Sequence, residues 1–166
     1  MAVNAKLFDI EVQDVEAIQV VSEHDVSGIL NGTFNFETEA QNQNLKGNVS
    51  FSDVRVELTI PIFNQGYLTF SDVTADVELK NNNLTIQNCR LKGKQLDASV
   101  SGSIRLNRDF SQGVLNLDAM VSPHHMLLAA VKESLPFGFL KGVKDKDKGF
   151  KFKIRGTTDA PQFSLN

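Results

Sequence analysis

The sequence predicts a mainly β domain: an antiparallel meander of about eight to ten strands, with one inserted α-helix at about residues 123–135. The strands are expected to form a twisted, folded-over sheet or an open groove. Three observations predict this. Apolar and polar residues alternate with period two over several stretches, as in a half-buried strand. A glycine-led phrase (Gly, any residue, apolar, polar, apolar, polar) recurs at Gly32, Gly47, Gly66, Gly102 and Gly113. The composition joins 12 Phe, 1 Tyr and no Trp to 14 Asn, rigid apolar residues beside turn formers. At 166 residues, 41% of them hydrophobic, a single domain over 1–166 is the expectation.

Along the chain, Met1 to Val12 shows no signal-peptide pattern, and no window approaches the roughly 18 apolar residues of a membrane-spanning helix. Two readings of the beginning stay open: a whole cytosolic protein, or a domain excised from its targeting segment. Within Asp14 to Ser22 the spacing of Val15, Ile18 and Val21 fits a short helix, and a strand fits nearly as well. Phe51-Ser52-Asp53-Val54 returns verbatim as Phe70-Ser71-Asp72-Val73, although the glycine-led phrases follow no fixed solenoid period. Glycine is expected to supply the turn or bulge of successive hairpins. Asn81-Asn82-Asn83 reads as a hairpin turn, because Asn tolerates positive φ; Asn42 to Asn44 and Asn107 to Asp109 look similar.

The clearest alternation puts Leu96, Ala98, Val100, Gly102, Ile104 and Leu106 on one face, with Asp97, Ser99, Ser101, Ser103 and Arg105 on the other. Val73 to Leu79 and Phe150 to Arg155 alternate in the same way. The helix rests on a Ser122 cap, Pro123 at the first helical position and the good helix formers from Met126 to Leu135, with Pro136 ending it.

Charge excludes a wholesale basic nucleic-acid binder, since the formal net charge is −3. That figure is a cancellation. Residues 1–40 carry one basic and eight acidic side chains, whereas 132–155 carry eight basic and three acidic ones. Lys141, Lys144, Lys146 and Lys148 are therefore candidates for meeting an anionic surface such as lipid headgroups. The reading favoured over it is a solvated loop and strand face, with lysines guarding an exposed or edge strand.

No constellation supports catalysis or a metal. His124 and His125 diverge on a helix and are expected as surface imidazoles; His24-Asp25 has no nucleophile beside it. Cys89, the one cysteine, excludes a disulfide framework; on a strand Arg90 faces away from it, so it reads as a small buried apolar residue. Asp145-Lys146-Asp147-Lys148-Gly149 lacks the downstream ligands of a calcium loop. Phosphate-loop, dinucleotide and nucleophile-elbow motifs are missing too. The expectation is a non-enzyme without cofactor, and no binding of nucleic acid.

The strand pair Leu84–Gly93 and Leu96–Leu106, then Gly113-Val-Leu-Asn-Leu-Asp, the 123–135 helix and the closing Gly149-Phe-Lys-Phe-Lys-Ile-Arg-Gly-Thr157 before Pro161 follow one another in a recognisable order. That order resembles the C-terminal region of the type II secretion system protein N (GspN) family and, more broadly, AsmA-like proteins. The resemblance covers roughly residues 84–163; Thr158 departs from the apolar residue the family commonly places after Gly-Thr. It implies a periplasmic β-rich domain of a bacterial inner-membrane protein whose anchor is absent from this chain. The implied partners are other components of the secretion machine, and no catalytic residue is carried over. AsmA-like relatives imply instead an apolar trough for acyl chains of phospholipid. The face of Leu96, Val100, Ile104, Leu115 and Leu117 is its candidate lining, with a closed core the favoured reading of that face at this size. A carbohydrate-binding β-domain is disfavoured, with only Tyr67 to stack on a sugar.

Overall fold

The sequence alternation is realised as nine strands: β1 (Ala2–Glu11), β2 (Val26–Glu39), β3 (Asn42–Ile62), β4 (Gln65–Lys80), β5 (Asn83–Gly93), β6 (Leu96–Arg105), β7 (Val114–Pro123), β8 (Phe150–Gly156) and β9 (Pro161–Leu165). The computed structural model describes residues 2–15, 25–39, 42–62, 65–108, 112–125, 127 and 149–165. Every strand pairs antiparallel with its neighbour in sequence, giving one open sheet in the order β1 to β9. Such a meander joins sequence neighbours throughout and needs no crossover, although 26 residues separate β7 from β8 and 14 separate β1 from β2.

Register stacks like on like. Ala5, Phe34, Gly47, Val77, Ile86, Gly102, Leu117, Ile154 and Phe163 form one cross-strand row through all nine strands. A second row runs Ile10, Leu30, Phe51, Val73, Leu91, Ala98, Val121 and Phe150 from β1 to β8. On the opposite face the row is Asn4, Asn35, Lys46, Glu78, Thr85, Ser103 and Asn116. One face is thus apolar from edge to edge and the other mainly polar, with Ile29, Val114 and Met120 exposed on it, and cross-strand pairing of like residues is what pins each register.

Strict alternation alone would not hold that division. Four tetrapeptides place apolar residues three apart instead of two: Leu7-Phe8-Asp9-Ile10, Phe51-Ser52-Asp53-Val54, Phe70-Ser71-Asp72-Val73 and Ile86-Gln87-Asn88-Cys89. In β1 and β5 the ladder register shifts within the tetrapeptide, and the β2–β3 and β4–β5 ladders shift at the other two. Each inserts one extra residue, a β-bulge, which returns the next apolar side chain to the same face and sharpens the twist. Asp9, Asp53 and Asn88 have φ near 50°, in the left-handed region. Asp and Asn reach that region at less cost than other non-glycine residues. The two identical tetrapeptides lie opposite each other, Phe51 against Val73 and Phe70 against Val54, so their bulges coincide and the β3–β4 register holds from Asn44 to Glu57 before shifting toward Ile62.

Several expectations are met and others corrected. Asn81 and Asn82 both have positive φ and turn β4 into β5. Asn42 to Asn44, expected as a turn, instead begin β3, where Asn42 pairs with Glu39. Gly32 and Gly47 make neither turn nor bulge. They sit mid-strand, and the Phe34 ring lies over Gly47 in the space a Cβ would take. Gly102 does need its freedom, with φ at 134° and the Asn116–Leu117 backbone pressed against it.

Pro123, expected to open the helix, closes β7 opposite Leu96. The Leu117, Ala119, Val121 alternation continues into it, and β8 pairs with β7 only as far as Val121, so the missing N–H falls beyond the doubly paired stretch. Of the remainder of the 123–135 helix, His125 and Leu127 are helical, and 126 and 128–135 lie outside the described residues. Near Asp14 a 3-10 turn spans Val12–Asp14, and residues 16–24 lie outside the description. β9 pairs with β8 from Phe152 to Gly156, so Lys153, opposite Ser164, is not on the sheet edge, while Lys151 is exposed beyond that ladder. Thr158 ties the β8–β9 turn to the β6–β7 loop: its N–H donates to Gly113 O at 2.9 Å and its hydroxyl accepts from Gly113 N–H at 3.2 Å.

The bulge geometry sets a testable asymmetry at Asp53. Asp53→Gly should leave stability within about 0.5 kcal/mol, whereas Asp53→Val should cost about 1–2 kcal/mol, because a β-branched residue resists positive φ. Urea unfolding of the two variants measures the difference.

Candidate functional site

The apolar face is the surface on which most chemistry-neutral side chains converge. Leu96, Val100, Ile104, Leu115 and Leu117 share it as expected: Ile104 opposes Leu115, Val100 opposes Ala119, and Leu117 opposes Gly102. They divide by depth. Leu115 and Leu117 are each 8% exposed and form part of the floor, while Leu96, Val100 and Ile104 are only half-buried.

That division holds across the sheet. Among the described residues the buried hydrophobic set is Val12, Leu30, Val54, Phe70, Ala75, Leu115, Leu117 and Leu127, and no polar or charged residue joins it. Most other apolar residues of the face are half-buried, as in a layer whose own neighbours cover it laterally. At the two edges the face stays open: Val3 on β1 is 42% exposed, and Phe163 and Leu165 on β9 are 66% and 50% exposed. Sequence reasoning placed the candidate on β6 and β7 alone. It missed the extension to both edges, which the apolar rows carry and which becomes visible only once the bulges are placed.

Cys89 belongs to this face, opposite Val100, and is half-buried; burial pushes its thiol pKa up, the direction that suppresses nucleophilicity. Arg90 pairs with Thr74 and Ser99 on the polar side.

Several side chains of the polar face bond one another, although Asn44 Oδ1 is buried without a partner. Asp76 accepts from the side-chain amides of Asn48 at 2.8 Å and Asn88 at 3.2 Å, and these bonds hold its carboxyl below the usual carboxylate range. Lys46 pairs with Glu78 at 3.6 Å beside them, and the group borders a depression of about 440 Å³. Arg155 lies 3.5 Å from Asp118 and donates to Leu117 O at 2.5 Å. Arg55 stacks 4.0 Å above the Tyr67 ring and pairs with Glu57, which occupies the one tyrosine.

His124 lies at the surface as expected, its side chain 41% exposed, but precedes the helical His125 instead of joining it. It follows β7 directly, and its Nε2 lies 3.1 Å from Asp97 Oδ2 on β6. Among the described residues no three His, Cys, Asp or Glu side chains gather to hold a metal ion, nor does any helix have the length and apolarity to cross a membrane. His24, Lys141, Lys144, Lys146, Lys148 and the Asp145–Asp147 loop lie outside the described residues.

No protein-family model, curated protein or solved structure matches this chain.

If Leu117 is floor and Leu165 rim, truncation should separate them. Leu117→Ala is expected to cost about 2–4 kcal/mol and Leu165→Ala under about 1 kcal/mol, read from urea midpoints at constant m-value.

Proposed function

We propose that this chain is a non-enzymatic domain of the bacterial cell envelope that shelters acyl chains of phospholipid along its apolar face. The observation that carries the reading is the uninterrupted apolar row from Ala5 on β1 to Phe163 on β9. An alkyl chain is matched by apolar surface without hydrogen-bonding demands, and the half-buried Leu96, Val100 and Ile104 offer such surface beside the buried leucines. The opposite, polar face suits water. The AsmA-like resemblance points to the same ligand class, and the periplasmic side of the inner membrane would supply it.

A second reading, a structural component of a type II secretion apparatus, is favoured by the sheet edges. In the described sheet β1 pairs only with β2 and β9 only with β8, so each has an outer edge available for strand addition by another component.

Mass spectrometry of organic extracts from gently purified chain tests the first reading. Phospholipid should co-purify reproducibly, and Ile104→Asp should lower it several-fold while the strand signal in circular dichroism persists. A lipid-free protein that also takes up no fluorescent phospholipid from vesicles would overturn it. Specific capture of inner-membrane secretion components by such a lipid-free chain would support the second reading in its place.

A further inference from the structure

The end of β7 meets the β5–β6 turn through a small closed set of bonds. His124 N–H donates to Gln95 O at 2.8 Å, one residue beyond the last β6–β7 pair. Its ring then reaches two acceptors: Nδ1 lies 2.9 Å from Lys94 O and Nε2 3.1 Å from Asp97 Oδ2. The other oxygen of Asp97 accepts from Gly93 N–H at 3.1 Å. Asp97 thereby joins the last residue of β5 to the first residue after β7.

Both ring partners are acceptors only, a peptide carbonyl and a carboxylate. A neutral imidazole carries one N–H and can satisfy only one of them; its bare nitrogen would face an oxygen lone pair. The full set of bonds requires the imidazolium. We infer that His124 and Asp97 form a proton-dependent brace that holds the β5–β6 turn against the end of β7 when His124 is charged and loosens it when the ring is neutral.

The charged groups around the ring agree. Asp97 on β6 faces it directly, and Lys92 on β5, paired with Asp97 in the ladder, lies behind the carboxylate; from the turn Lys94 supplies its carbonyl. The Asp97 bond and the Lys94 carbonyl raise the imidazole pKa above its ordinary value, and the His124 bond lowers that of Asp97. The signs define a window. The raised His124 contributes stability that is complete below the unfolded imidazole value, about 6.5, and is lost as pH rises through the folded one. The lowered Asp97 contributes stability that is present above about 3.9 and is lost as pH falls through its folded value. Both side chains are substantially exposed, so the effect is local to this corner and does not decide global stability.

Proton NMR and amide exchange on the full chain test the brace, independently of any lipid binding. Asp97→Asn should lower the His124 titration midpoint by roughly half a pH unit, the scale of an exposed ion pair. In the wild type, protection of the Gly93 and His124 amides, corrected for intrinsic exchange, should fall about threefold between about pH 6 and 8. In Asp97→Asn and His124→Gln it should be flat across that range. Wild-type protection that does not change with pH, or a His124 midpoint unmoved by Asp97→Asn, would overturn the proposal.

Discussion

Keeping the core-forming apolar side chains of nine strands on one face is the constraint from which the rest of this structure follows. A period-two chain keeps its faces only while it stays in phase, and a single inserted residue reverses them. Here the extra residues are spent as bulges. At Asp9, Asp53 and Asn88 the backbone takes a left-handed step, and the following Ile10, Val54 and Cys89 return to the face their predecessors occupied. Without those steps the outer halves of β1, β3 and β5 would present their apolar residues to water and their polar residues to the core side. The bulges also add twist, which suits a sheet that must curve to shelter its own apolar layer.

One-sidedness explains the pattern of burial. A sheet with a single apolar face buries most deeply where long side chains crowd from neighbouring strands, as at Leu30, Phe70, Leu115 and Leu117. It shields less toward β1 and β9, where a neighbour is missing on one side. Polar chemistry is confined to the opposite face, where Asn48, Asp76 and Asn88 bond one another and Lys46 meets Glu78. Groups so engaged are poor candidates for acid–base work, and the half-buried Cys89 thiol is shifted away from reactivity. Among the described residues, apolar area and strand edge stay available, and both are binding resources.

Local ties finish the ends that the ladder leaves loose. Thr158 joins the β8–β9 turn to Gly113, and Asp97 with His124 joins the β5–β6 turn to the end of β7. The two differ in kind. The threonine tie uses neutral groups and is indifferent to pH, whereas the histidine tie is complete only with a charged ring, since both ring partners are acceptors.

Much of this fold was written in the sequence itself. The one-sided alternation of Leu96 to Ile104, the Asn81-Asn82 turn and the mainly antiparallel character follow from side-chain periodicity and from the tolerance of Asn for positive φ, both local properties. The bulges were half legible: the repeated Phe-Ser-Asp-Val was plain, but its kinship with Leu7-Phe8-Asp9-Ile10 and Ile86-Gln87-Asn88-Cys89 emerges only when the ladders show four insertions of one kind. Pro123 misled because the same residue suits a first helical turn and a strand end, and only its pairing with Leu96 decides between them. The extent of the apolar face, the meeting of the two identical tetrapeptides and the approach of His124 to Asp97 belonged to the tertiary structure alone. Each depends on register between strands, and register is a relation between distant segments that no local pattern contains.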